Sequence, residues 1–160
     1  MGATRKLSPL ILVFFYLAVA HGSGCRSGWT QYKNKCYMFS RMPEPWGMAS
    51  SYCQAYHSKL AEPVTPEESA FLTSHAHNLH DTFWIGITDL MAENEWVYSS
   101  NLQRVQTTNW ASHEPNGKGG ENCAVLFYPR HSQWADLHCD AHERFICEMS
   151  EDESGPMILG

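Results

Sequence analysis

The chain has 160 residues, a formal net charge of −6 at pH 7, 43% hydrophobic residues and six cysteines. This length suffices for one domain with a single core but not for two. Its lysines and arginines are scattered, so it lacks the clustered basic face of a nucleic-acid-binding protein, whereas its acidity is compatible with binding cations or mineral surfaces.

The first residues predict a secretory signal peptide over residues 1–22. Arg5 and Lys6 precede an apolar run from Leu7 to Ala20, and small residues up to Gly24 offer cleavage sites. The alternative is a membrane anchor, but the run has about 14 residues against the roughly 20 that a spanning helix needs. We therefore expect a secreted, extracellular protein with no membrane span.

The cysteines all fall in the exported part, at Cys25, Cys36, Cys53, Cys123, Cys139 and Cys147. An even number in a secreted chain predicts three disulfides, although spacing alone cannot choose among the possible pairings. Zinc is the competing interpretation. It is disfavoured because the chain has no C-x-x-C pair and the expected compartment is oxidising.

Two amphipathic helices are predicted in the first half, after a hairpin around the polar turn 33–35. Helical spacing of apolar residues between Trp46 and Tyr56 predicts the first. The second begins at Thr65, an N-cap threonine followed by a proline and, at Glu68, by the glutamate of a capping box. Its predicted apolar face carries Phe71, Leu72, Ala76 and Leu79.

Strands follow the helices, at 83–87, 95–98, 123–128, 133–137 and 144–147. Helices and strands that are segregated along the chain predict an α+β class. We expect a single domain over residues 25–149, followed by an acidic, flexible tail over residues 150–160. A long stretch with weak periodicity, 99–121, interrupts the strands, and such a loop within a compact domain is normally functional or disordered.

That loop and the strands after it gather the oxygen-bearing side chains that hard cations prefer. The candidates are Glu114, Asn116, Glu121 and Asp136, and Pro115 lies between the first two. Calcium takes about six to eight oxygen ligands from carboxylates, amides, carbonyls and water. An X-Pro bond is the one kind in which a cis peptide costs little. The sequence therefore predicts a calcium site that also binds a ligand.

These motifs resemble the C-type lectin-like domain in its long, six-cysteine form, over nearly all of residues 25–148. The resemblance rests on five motifs taken together: Trp84-Ile85-Gly86-Ile87, Glu114-Pro115-Asn116, Glu121-Asn122-Cys123, Trp134-Ala135-Asp136 and Phe145-Ile146-Cys147-Glu148. Secreted single-domain chains of this size also resemble the perlucin-like lectins of molluscs. The resemblance implies the disulfides Cys25–Cys36, Cys53–Cys147 and Cys123–Cys139.

The resemblance also implies that Glu114, Asn116, Glu121 and Asp136 are the principal calcium ligands, with Pro115 in the cis form. Two neighbouring sugar hydroxyls would then share the ion with carboxylate and amide groups, through charge-assisted hydrogen bonds. The order Glu-Pro-Asn resembles the form that takes equatorial vicinal hydroxyls, as in mannose, N-acetylglucosamine, glucose and fucose. The reverse order, Gln-Pro-Asp, is associated with galactose.

Two departures from the family pattern affect this expectation. Ala135 stands where the family usually has an asparagine, so one amide ligand and one hydrogen bond to sugar are lost, and we expect weaker calcium binding. Asp89 and Glu93 fall where ligands of an auxiliary calcium site usually lie. Gly117 and Asn122 stand where acidic residues are common in that site. We therefore expect the auxiliary site to be empty at low millimolar calcium.

The other polar motifs have less specific interpretations. On a helix only His77 and His80 of the 75–80 segment share a face, so a solvated helix end is favoured over a transition-metal site. His113, beside Glu114, is expected to be an exposed loop histidine. No G-x-S-x-G or H-E-x-x-H pattern occurs and no cysteine is left over, so we do not expect an enzyme.

The sequence thus predicts a secreted, calcium-dependent lectin that recognises microbial or self glycans in innate recognition. One site of this kind binds a monosaccharide weakly, so homo-oligomers or arrays of sugar would be needed for avidity. The main alternative is a shell or biomineral matrix protein of perlucin type on calcium carbonate. The second alternative is a protein-binding lectin-like module whose calcium site is vestigial.

Overall fold

The computed structural model describes residues 24–117 and 120–154. The expected signal peptide and residues 155–160 of the expected tail lie outside the described residues. Among the residues described, no helix has both the length and the apolar character needed to cross a bilayer.

The first helix, α1 (Trp46–Ala55), forms where the apolar spacing predicts it. Ala49 and Cys53 are its buried residues, and their spacing of four puts them on one face. Its first residue also joins it to the sheet, because Trp46 Nε1 donates a hydrogen bond to the carbonyl of Ile85 at 2.9 Å.

The second helix, α2 (Pro66–Leu79), has the predicted N-cap, because Thr65 Oγ1 accepts a hydrogen bond from the Glu68 N–H. The capping box is completed differently from the prediction. The Glu68 carboxylate accepts from the N–H of Val64 at 3.0 Å, one residue before the cap. Leu79 was predicted on the buried face but is 44% exposed, because the helix ends there and His80 turns into the left-handed region.

Eight strands occur among the described residues: β1 (Thr30–Tyr32), β2 (Lys35–Phe39), β3 (Lys59–Leu60), β4 (Phe83–Thr88), β5 (Val97–Tyr98), β6 (Cys123–Phe127), β7 (Gln133–Leu137) and β8 (Arg144–Ser150). They form one sheet in the order β1-β2-β8-β4-β6-β7, with β3 paired to β8 and β5 to β4. The β4–β8 pair is parallel, and the other strand pairs are antiparallel. The predicted α+β class is confirmed.

Strand β4 lies at the centre of the core, and all of its residues are buried. Because side chains alternate across a strand, Phe83, Ile85 and Ile87 enter one apolar cluster while Trp84 enters the other. The first cluster contains the buried face of α2, and the second contains that of α1. The two helices thus contribute to separate parts of the core.

Three disulfides join the pairs that the resemblance implies. Cys53–Cys147 links α1 to β8, Cys25–Cys36 links the start of the domain to β2, and Cys123–Cys139 links β6 to the turn after β7. No cysteine among the described residues is free. The last of these bridges begins two residues after Glu121, the last residue of the long loop 99–121, hereafter the acidic loop.

A buried charge cluster, absent from the sequence prediction, joins β2, β3, β8 and α2. Its carboxylates belong to Glu62, Glu68 and Glu148, which are 1%, 4% and 3% exposed. Lys35 contacts Glu68 at 2.6 Å and Glu148 at 3.4 Å, and Lys59 contacts Glu62 and Glu148. Burial raises the pKa of Glu148 to about 7, against the attraction of the two lysines, which lowers it.

The expected flexible tail is folded over its first residues. Ser150 ends β8, and Glu151–Ser154 forms a short 3-10 helix. Arg26 donates hydrogen bonds to the carbonyls of Glu153 (2.9 Å) and Ser154 (3.2 Å). The Ser154 hydroxyl in turn donates to the carbonyl of Gly24 at 2.7 Å. The sequence prediction missed this segment because its main partner, Arg26, lies 128 residues earlier.

Candidate functional site

The long segment between β5 and β6 is attached to the core by tryptophans. The backbone N–H of Trp134 on β7 donates a hydrogen bond to the carbonyl of Asn109, and the backbone carbonyl of Trp134 accepts the N–H of Ala111, each at 2.8 Å. The ring of Trp110 packs edge-on against Trp134 and Trp96, with centroids 5.6 and 4.8 Å away. These contacts fix the backbone just before the Glu-Pro-Asn turn.

The turn itself presents two oxygen-bearing side chains together. The Glu114–Pro115 peptide bond is cis. The Asn116 side-chain Nδ2 donates a hydrogen bond to Glu114 Oε2 at 2.7 Å. The carboxylate and the amide are therefore adjacent at the surface of the loop.

Asp136 on β7 fixes the backbone of this turn by two hydrogen bonds. Its Oδ1 accepts the backbone N–H of Asn116 at 2.9 Å, and its Oδ2 accepts that of Gly117 at 2.7 Å. The side chain is only 1% exposed. Each carboxylate oxygen has a second lone pair that these bonds leave open. A rigid strand residue thus sets the position of a loop residue 20 positions earlier.

Glu121 completes the set of predicted residues just before β6. Its Oε2 is buried without a hydrogen-bond partner. Burial, together with the carboxylates of Asp136 and Glu121, raises the pKa of Glu114, while the Asn116 amide opposes this rise. The structure thus brings four predicted oxygen donors into one neighbourhood: Glu114, Asn116, Glu121 and Asp136.

The donor set fits calcium by its chemistry, because it offers three carboxylates and one amide and no nitrogen or sulfur ligand. A buried carboxylate oxygen without a partner, as at Glu121, is costly unless a cation or water binds it. Within residues 24–117 and 120–154, however, no three Asp, Glu, His or Cys side chains already converge as a group able to hold a metal ion.

Ala135 and its neighbour Asp136 lie on opposite faces of β7. Ala135 is 2% exposed and belongs to the apolar cluster that contains Trp84 and Val125. Its β6 partner in the ladder is Val125. The sequence indicated only that an amide is missing here, whereas the structure shows a methyl group packed in the core.

The predicted auxiliary residues lie next to the loop as well. Asp89 is 2% exposed; its Oδ2 accepts the N–H of Asn94 at 2.8 Å, and its Oδ1 has no partner. Asn122 Oδ1 is likewise buried without a partner. A Cβ on Gly117 would lie 3.0 Å from Glu93 Oε1, so the glycine allows this carboxylate to approach. No pattern in the sequence indicates these two unpartnered oxygens.

The histidines lie apart from this loop or at its edge. His77 and His80 stack with centroids 6.4 Å apart, and His131 approaches His77 at 5.9 Å. All three are exposed at the end of α2. His113, also exposed, adopts a left-handed backbone with φ of 69° immediately before Glu114.

The profile of the Lectin C-type domain matches residues 42–149 of this chain. The chain is 33% identical to perlucin of Haliotis laevigata over 129 residues, which cover 78% of this chain and 83% of perlucin. It is 27% identical to a perlucin-like protein of Mytilus galloprovincialis over 157 residues, which cover 92% of this chain and 100% of that protein.

A solved structure with a similar fold is the mouse scavenger receptor C-type lectin carbohydrate-recognition domain. Its TM-score is 0.74 and its identity 33%, over 79% of this chain and 98% of that domain. The fold, the disulfides and the profile match thus agree with the resemblance seen in the sequence. The chain belongs to the C-type lectin domain family, a family of carbohydrate-binding domains rather than enzymes.

Proposed function

We propose that this chain is a secreted, calcium-dependent lectin whose one principal site binds glycans with equatorial vicinal hydroxyls. The observation that carries the proposal is the arrangement of Glu114, Asn116 and Asp136, which are hydrogen-bonded to one another beside the unpartnered buried oxygen of Glu121. In a loop that served only solubility, we would expect the carboxylates to be exposed to water, not buried without a hydrogen-bond partner as at Glu121.

The calcium would be held by Glu114, Asn116, Glu121 and Asp136. When bound, the ion supplies open coordination positions that a pair of sugar hydroxyls can fill. The remaining lone pairs of Glu114 and Glu121 accept the hydroxyl protons, and the Asn116 Nδ2 donates to a hydroxyl oxygen. In the structure Asn116 Nδ2 donates to Glu114 Oε2, so sugar binding would exchange one hydrogen bond for another.

The selectivity in this proposal favours mannose, N-acetylglucosamine, glucose and fucose over galactose. Glu114 presents acceptors only and Asn116 presents donors, so the two sides of the turn differ in hydrogen-bonding character. Ala135 contributes neither a hydrogen-bond donor nor an acceptor, since its methyl group is packed in the core. The site would therefore bind monosaccharides weakly, and oligomers or dense glycan arrays in innate recognition would supply avidity.

Two alternative functions each have one observation in their favour. A matrix protein on calcium carbonate is favoured by the net charge of −6, because acidic groups bind mineral calcium without needing a sugar. A protein-binding module is favoured by the absence, among the described residues, of a preformed group of metal ligands. In that case the acidic loop would be a vestige.

Retention on immobilised mannose separates these functions. The lectin proposal expects retention in millimolar calcium, elution by chelator and no retention in magnesium alone, because magnesium demands a stricter octahedral geometry. Glu121→Gln should abolish retention. The control is Glu95→Gln, which removes the negative charge of a side chain that is 53% exposed and paired with Arg104. This variant should be retained like the wild type. Absence of retention together with altered calcium carbonate growth would favour the matrix role. Absence of both would favour the protein-binding module.

A further inference from the structure

A second groove lies away from the acidic loop, where β2 ends and β8 begins. Its volume is about 460 Å³, within the range of small-molecule sites. Residues from the hairpin, from α2 and from β8 contribute to it. Those that matter to the argument are Thr30, Phe39, Arg41, His75, Leu79 and Arg144.

The groove is cationic in an acidic protein. No Asp or Glu is among the described residues that line it, whereas two arginines are. Arg41 is exposed, and within residues 24–117 and 120–154 it makes no ion pair. Arg144 Nε forms an ion pair with Asp81 Oδ2 at 3.0 Å, which offsets part of its charge. Its two terminal nitrogens carry further N–H donors. A single guanidinium group presents parallel N–H donors whose spacing matches two oxygens of a carboxylate or sulfate.

Apolar side chains also line the groove. Phe39 is half-buried, and its ring packs against the ring of His75 with centroids 4.6 Å apart. Leu79, at the end of α2, is 44% exposed beside it. An inorganic anion would gain nothing from contact with these apolar surfaces. A sugar ring, in contrast, has C–H groups that can pack on them and hydroxyls that can hydrogen-bond to Thr30. The combination of charge and apolar surface therefore fits an anionic sugar better than a free ion.

The groove and the acidic loop lie at the two ends of β4. Phe83, at its start, pairs with Arg144, and Thr88, at its end, pairs with Cys123 beside Asn122. We propose that the groove formed by Arg41, Arg144, Phe39 and Leu79 is a second glycan site, which binds sugars carrying a carboxylate or a sulfate ester without calcium. The proposal goes beyond the calcium-dependent site and is independent of it.

NMR titration of the isotope-labelled protein in chelator tests this site directly. The probes are methyl glucuronide, glucose 6-sulfate and, as the uncharged control, methyl glucoside. We expect both anionic sugars to shift the amide signals of Thr30, Arg41 and Arg144, with an affinity that falls as salt rises. The uncharged sugar should leave them unchanged. Comparison of the first two probes shows which anion is preferred.

Matched variants make the result decisive. Arg41→Gln removes a charge that supports no other described contact, so it should fold normally and weaken binding of the anionic sugars by about tenfold or more. Arg104→Gln removes the same charge from a side chain 75% exposed outside the groove and should bind like the wild type. The proposal is overturned if the anionic probes shift none of these signals, or if Arg41→Gln and Arg104→Gln bind equally. Because chelator is present throughout, neither outcome bears on the calcium site.

Discussion

Asp136 on β7 accepts the backbone N–H of Asn116 at 2.9 Å, so a buried strand residue fixes the turn that carries the candidate ligands. The same carboxylate is itself one of those ligands in the proposed site. The scaffold and the binding group are thus a single side chain. Substitution of Asp136 would confuse two effects, whereas substitutions at Glu114, Glu121 and Ala135 leave these backbone hydrogen bonds in place.

The first prediction concerns calcium and the unpartnered oxygen of Glu121. Calcium that binds only the folded state should stabilise the wild type by about 2.7 kcal/mol at roughly 100 times the Kd. Glu121→Gln should be at least as stable as the wild type in chelator, because it removes a buried charge, and should lose most of this gain in calcium. Thermal unfolding with calcium and with chelator measures both. An identical midpoint for the wild type in the two conditions contradicts the site.

The second prediction concerns the packed methyl group of Ala135. Ala135→Asn should lower stability in chelator by about 1–3 kcal/mol, because the amide enters an apolar cluster without a partner. If the amide reaches the ion, calcium should stabilise the variant more than it stabilises the wild type. Ala135→Leu, of similar size but without an amide, is the control. Equal calcium-induced gains in Ala135→Asn and the wild type would show that the amide stays in the core.

The third prediction concerns sugar selectivity. The double substitution Glu114→Gln with Asn116→Asp reverses which side of the turn carries the donor and keeps the number of oxygen ligands. We expect calcium binding to persist and preference to move from mannose towards galactose. Competition of resin-bound protein by the two free sugars is the measurement. A wild type that elutes equally well with both sugars would mean that this turn does not set selectivity.

The fourth prediction concerns Glu148, whose pKa of about 7 in the folded chain lies above its ordinary value of 4.5. The folded state therefore holds a proton that the unfolded state has released. The resulting stabilisation is fully present below pH 4.5 and is lost as the pH rises through 7. The free energy of unfolding should fall by roughly 2–3 kcal/mol over this window. Glu148→Gln should flatten the curve, as measured by urea unfolding from pH 5 to 8; an unchanged slope would contradict the assignment.

The fifth prediction concerns the disulfides, whose sequence separations are 94 for Cys53–Cys147 and 11 for Cys25–Cys36. In the chain-entropy model the longer loop stabilises by about 2 kcal/mol more. Replacing each pair by alanines should show this order in urea unfolding. A larger cost for the short loop would mean that packing or strain outweighs loop entropy in this domain.

The sequence predicted most of the elements because their signals are local. The Thr65-Pro66 start of α2 and the apolar run of β4 each lie within a few residues, and both are found at the predicted positions. Strand β3 was missed because two residues, Lys59 and Leu60, are too short a span for any periodicity. Its partner, β8, lies almost 90 residues later.

The sequence predicts which residues the candidate site should contain, but not how those residues contact one another. Spacing and residue type single out Glu114 and Asn116, yet they do not reveal that these two side chains form a hydrogen bond with each other. Nor does the sequence indicate the inward direction of Ala135. That direction follows from the register with Val125 on β6, which only the folded sheet determines. The charge cluster around Glu148 was also missed, because its members are distant in sequence and only the folded chain brings them together.

The hydrogen bond from Ser154 to the carbonyl of Gly24 has a practical consequence. Because the two ends of the described domain touch, a short linker could join them, and new ends could be opened in an exposed turn elsewhere. The same closeness would let the whole unit be grafted into a surface loop of another protein without forcing that loop apart. Several copies built into one scaffold would then carry their glycan sites at chosen spacings.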